Sequence, residues 1–229
     1  MFVSVPTRSR PLMRWATPLL FALLWAAFLW TLVQSDAWLR DMMLEWGALT
    51  GASGADGLAA WRDPQRWARL VTALFLHADW AHLLGNLVFL LIFGLPAERV
   101  MGPWRLLALF LLGGAFANMF AALVIGAPDR LIIGASGAVS ALIGSYLALF
   151  PRAKLGVVVP LGLFLEFVRA PASLLIGLWA VLQVVFAYIG PAYGTIAWAA
   201  HAAGFVFGIA FAIASRGAIT RRLRKLKGY

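Results

Sequence analysis

The chain has 229 residues, of which 63% are hydrophobic and only 12% charged, and it carries a net charge of +10. An average soluble domain is about half apolar and about a quarter charged, so a soluble enzyme, a disordered chain and a nucleic-acid module are excluded. The complete lack of Cys excludes a disulfide scaffold. What remains is a polytopic membrane domain, in keeping with a mean hydropathy of +0.88.

A bilayer core about 30 Å thick needs about 20 apolar residues per helical span. Six stretches approach that length: Trp15–Val33, Ala81–Val100, Trp104–Ile125, Ile132–Phe150, Ala172–Ile189 and Thr195–Ala214. Their separators are short and carry breakers such as Pro96, Pro103, Pro128, Pro151 and Pro191. Between the first two spans lies one long loop, about residues 34–80. There Trp38, Leu39, Met42, Met43, Trp46 and Leu49 recur at helical spacing, which predicts a helix lying in the membrane interface. The apolar run Leu155–Val168 is too short to span and holds Pro160 and Glu166, so it reads as interfacial or re-entrant.

The basic charge follows this topology. With both termini inside, the inner side holds 14 Lys/Arg: three before Trp15, two at 99–105, three in 151–171 and six after Ala214; the outer side holds five. Seven of the nine acids lie outside. The bias obeys the positive-inside rule, and it makes nucleic acid an unneeded partner. The predicted organisation is a cytoplasmic N-terminal segment 1–14, a six-span domain 15–214 and a basic cytoplasmic tail 215–229. A bacterial inner membrane is the expected location, from the compact six-span form and the lack of an evident organelle presequence.

Ionisable and polar groups inside spans are costly and mark function by default. His82 and Asn86 sit in the first two turns of the second span, Ser136 about one turn into the fourth, and His201 about 9 Å into the sixth at about 1.5 Å per residue. Three spans thus bring their polar residues to one shallow layer near the outer face. Ser136, Ser140 and Gly144 repeat every four residues, and His201, Gly204 and Gly208 share a face. Such small-residue stripes let helices approach closely, so the fourth and sixth spans are expected to pack together. A serine becomes a nucleophile when a base takes its proton, and His is the usual base. The oxyanion formed on a carbonyl then needs fixed donors; the Asn86 amide, the His82 imidazole and the Ser136 backbone N–H qualify. No carboxylate shares the layer, so the expectation is a Ser–His dyad. A second Gly-Ala-Ser-Gly, at Gly51–Gly54, lies in the outer loop, with no rigid helix to hold Ser53 against a base.

Taken together, His77-x4-His82-x3-Asn86, Gly134-Ala135-Ser136-Gly137 and Ala200-His201-x2-Gly204-x3-Gly208 resemble the rhomboid family of intramembrane serine proteases. The sequence Glu98-x3-Gly102 is similar too. The resemblance implies an all-α six-helix bundle with a cavity open to the outer side. It implies Ser136 as nucleophile, His201 as base and His82, Asn86 and the Ser136 amide as oxyanion donors. Gly134 and Gly137 would shape the turn, and Gly204 and Gly208 would support the packing. The substrates it implies are transmembrane segments of other proteins in the bilayer, with no metal or cofactor. His77 matches a family histidine, although the residue alone reads equally as a loop or interface group. Many members carry an aromatic residue four positions after the serine, packing on the histidine. Here that position is Ser140, which leaves the orientation of His201 open. Asn118 and Gln183 match no family feature and read as interhelical hydrogen-bonding groups. Two other functions compete: an inactive relative that binds transmembrane helices without cutting, and a small transporter. Neither the natural substrate nor an oligomeric state is set by the sequence.

Overall fold

The computed structural model describes residues 14–51, 59, 61–125, 130–161, 164–189 and 194–227. The N-terminal segment 1–13 and Ser53 lie outside the described residues. The chain forms α1 (Ala16–Thr31), α2 (Asp36–Trp46), α3 (Pro64–Thr72), α4 (Trp80–Met101), α5 (Pro103–Val124), α6 (Ser136–Leu149), α7 (Ala172–Ile189) and α8 (Gly194–Lys227). Segments of α4, α5 and α8 are long and apolar enough to cross a membrane; α1, α6 and part of α7 are shorter apolar helices. These six form the bundle. Two small antiparallel ribbons complete it: β1 (Ala48–Leu49) with β2 (Leu131–Ile132), and β3 (Lys154–Leu161) with β4 (Phe164–Pro171).

Three helices begin at a capping side chain. Ser35 and Asp63 accept from the N–H groups of Trp38 and Gln65 at the heads of α2 and α3, and Pro64 fills the first position of α3. Asp79 accepts from the His82 N–H at 2.8 Å and starts α4. The head of α1 has no cap of its own. Glu98, near the end of α4 and buried, accepts from the N–H groups of Ala16 and Thr17 at 2.8 and 2.9 Å. A carboxylate there satisfies two orphan donors and meets the positive end of the helix dipole. Gly102, at φ +90°, then turns α4 sharply into α5. The Glu98-x3-Gly102 spacing is thus a clamp at one end of the bundle.

The core is built on close backbone contact around α6. A Cβ at Gly204, Gly208 or Gly144 would collide with the carbonyl oxygen of Gly137, Ala141 or Phe205 respectively. The stripes predicted on the fourth and sixth spans therefore face each other, as α6 against α8. Asn118 of α5 donates to the Leu70 carbonyl of α3 at 2.9 Å, tying the outer-loop helix to the bundle.

Four features add detail that the sequence reading did not set. The run at Leu155–Val168 belongs to a β-ribbon, with Val157 paired to Val168 and Leu161 to Phe164; three consecutive valines favour strand over helix. The outer loop holds a second helix, α3, besides the predicted α2. The last helix continues into the basic segment, because α8 runs unbroken to Lys227. Finally, α6 starts at Ser136 rather than Ile132, since Leu131 and Ile132 pair with the outer loop as strand β2.

Candidate active site

The late start of α6 decides the depth of the serine. A helix of 14 residues is about 21 Å long, well short of an apolar layer of about 30 Å. If its far end reaches one membrane face, its first residue lies below the other. Ser136 is that first residue. Its N–H is among those that an α-helix leaves without an internal partner. Ala135 precedes it as the capping residue, with no side-chain cap.

The turn ahead of Ser136 is held from below. Gly134 donates its N–H to the Ala73 carbonyl at 2.8 Å. It adopts φ +105°, where only glycine sits without cost, and a Cβ there would collide with the His82 imidazole. The Ala135 N–H donates to His77 Nε2 at a long 3.5 Å. His77 is 1% exposed, and its ring meets His82 edge to face at 5.0 Å. Burial, with the nearby His82, pushes the His77 imidazole down from 6.5 to about 4. It therefore stays neutral at neutral pH, as an acceptor of a backbone N–H must.

His82 and Asn86 lie one turn apart on α4. The Asn86 amide donates to the His82 carbonyl at 3.0 Å, which fixes it while leaving its second N–H. His82, Asn86, Ser136 and His201 all line one cavity of about 220 Å³. Phe89, Ile143 and Trp179 line both it and a larger apolar cleft of about 510 Å³ between α4 and α7. The four polar residues singled out in the sequence thus share one cavity, to which α4, α6 and α8 bring them and which α7 closes with Trp179.

His201 is held in a way the sequence left open. The Ser140 hydroxyl donates back to the Ser136 carbonyl at 2.8 Å. The aromatic partner comes from α7 instead. Trp179 lies over the imidazole with ring centroids 6.2 Å apart and planes inclined by 36°. One turn further on, Gln183 Oε1 accepts from His201 Nδ1 at 2.7 Å. The Nε2 atom is shielded from solvent and makes no hydrogen bond among the described residues. Gln183 and Trp179 were not singled out as site residues from the sequence. The available signal was a polar side chain within an apolar span, four residues from a tryptophan on the same helical face.

Comparison with known proteins agrees with this architecture. The family described as "Rhomboid domain" matches residues 64–217. "Rhomboid-like protein 11, chloroplastic" of Arabidopsis thaliana is 39% identical over 89 residues, covering 39% of this chain and 31% of that protein. "Rhomboid-like protease 3" of Toxoplasma gondii is 38% identical over 95 residues, covering 42% and 35%. "Rhomboid-related protein 2" of Mus musculus is 30% identical over 146 residues, covering 59% and 44%. The chain spans under half the length of each of these three. The apolar helices make it an integral, multi-pass membrane protein, and with two thirds of its length inside the family match it is a member of the rhomboid family.

Proposed function

We propose that this protein is an intramembrane serine endopeptidase that cuts transmembrane segments of other membrane proteins near one membrane face. One observation carries the reading: Ser136, at the head of a short buried helix, and His201, from a different helix, line the same cavity as two candidate oxyanion donors. In this mechanism the Ser136 Oγ attacks the scissile carbonyl carbon and His201 Nε2 takes the hydroxyl proton. The oxyanion is held by the Ser136 N–H, the free N–H of Asn86 and the His82 imidazole. As the C–N bond breaks, His201 returns the proton to the leaving amine. Water then hydrolyses the acyl-enzyme with His201 again as base. The apolar cleft beside the cavity suits a lipid-embedded segment, and the partly polar cavity suits its unwound, cleavable portion. The charge bias orients the cavity away from the cytoplasm, with both termini on the cytoplasmic side.

The test is cleavage of a transmembrane reporter in liposomes. The protein should cut it, Ser136→Ala should abolish cutting, and His201→Ala should lower it by about 10³-fold or more. Undiminished cleavage by Ser136→Ala would refute the assignment. Reporter binding without any cleavage would place the protein among helix-binding, non-cutting members instead.

A further inference from the structure

Resting on that reading, we propose that Gln183 is the positioning residue of His201. Its side-chain oxygen holds the imidazole in the tautomer whose Nε2 lone pair is available to Ser136. A neutral imidazole carries its proton on one nitrogen or the other, and only the unprotonated one can act as a base. Gln183 Oε1 lies 2.7 Å from Nδ1 and can only accept, so Nδ1 carries the proton. Nε2 is then the acceptor, and it is the ring nitrogen with no hydrogen-bond partner among the described residues. In the usual serine hydrolase triad this task falls to a buried carboxylate. Among the described residues, Asp79 is engaged as the cap of α4 and Glu98 as the cap of α1.

The arrangement belongs to α7 as a unit. Trp179 and Gln183 are four residues apart and therefore share a helical face. Trp179 packs on the ring and sets its plane, while Gln183 sets its rotation about that plane. The two supply what Ser140 does not, since its hydroxyl is spent on the Ser136 carbonyl. An amide does this without introducing a charge into the apolar layer. It accepts equally from the neutral ring and from the imidazolium formed once the Ser136 proton has moved to Nε2.

The chain has only three histidines, so ¹⁵N-histidine NMR of the whole protein in detergent micelles can read His201 directly once His77→Gln and His82→Gln spectra assign the signals. At pH 7.5 the wild type should show His201 as the Nδ1–H tautomer. Gln183→Leu should lose that preference. It should also slow fluorophosphonate labelling of Ser136 by about 10- to 1000-fold and lower kcat on a reporter with little change in KM. Gln183→Glu, which keeps an acceptor at the same place, should restore labelling to within about tenfold of wild type. A wild-type Nε2–H tautomer would overturn the proposal whether or not any variant folds, and so would wild-type labelling by Gln183→Leu. If the wild type shows the Nδ1–H tautomer, lost in Gln183→Leu, yet never labels, the positioning stands and the protease reading fails.

Discussion

Gly134 concentrates the constraints on the serine turn. It needs a positive φ, it gives its N–H to Ala73, and it leaves no room for a Cβ beside His82. Gly134→Ala is expected to destabilise the fold by about 2 kcal/mol and to remove labelling of Ser136, because the collision displaces His82 from the cavity. Unchanged thermal stability in detergent together with unchanged labelling would contradict the packing described. His77 acts on the same turn through its neutral form. Its folded-state pKa, about 4, lies below the 6.5 of an unfolded histidine, so the unfolded chain binds the extra proton between those values. Its contribution is fully present above pH 6.5 and is lost as pH falls towards 4. Thermal melts across that window should show wild-type stability falling with acid, and His77→Asn should flatten this part of the curve. A variant melting profile parallel to wild type would argue against a neutral His77. Ser136, His201, His82 and Asn86 stand out in the sequence because polar groups are conspicuous in apolar spans and their spacing sets an expected depth; His77, in the outer loop, stood out only through the family resemblance. Gln183 stood out as well, but its partner did not, because no spacing rule relates residues on different helices.

At the scale of elements, two contacts hold the site-bearing helices. The first is the α6–α8 interface, where glycines let backbones touch. Gly204→Ala and Gly208→Ala each drive a Cβ into a carbonyl oxygen and should cost about 2–3 kcal/mol or more. Gly177 of α7 has nothing within reach of a new Cβ, so Gly177→Ala should be neutral or stabilising by up to about 1 kcal/mol. Detergent unfolding of the three variants compares them directly; equal effects would mean that α6 and α8 are not in contact at these positions. The second is the Glu98 clamp on α1. Glu98→Ala leaves two buried N–H groups unpaired and should cost about 2–4 kcal/mol. Glu98→Gln, which keeps one acceptor, should fall between that and wild type in the same measurement. The small-residue stripes were readable because helical period 3.6 maps a sequence directly onto a face. The β3–β4 ribbon was not, since a short apolar run bounded by turns does not tell strand from helix by periodicity. Nor was the start of α6, because Leu131 and Ile132 are as apolar as a helix but are claimed by pairing with distant Ala48 and Leu49.

Across the whole molecule, composition alone required a membrane protein, and the breakers between apolar runs gave six helices in order. Lys and Arg are good helix formers, so α8 continues past its apolar stretch into the basic segment up to Lys227. The arrangement amounts to a short helix headed by a serine, beside longer ones that bring two histidines and an asparagine to the same cavity. The most direct test of its central claim is the intact mass of the full-length protein in detergent after reaction with a fluorophosphonate. A single adduct, mapped to Ser136 and strongly reduced in His201→Ala, is the expected result. An unmodified wild-type mass, or an adduct that persists in Ser136→Ala, would contradict it.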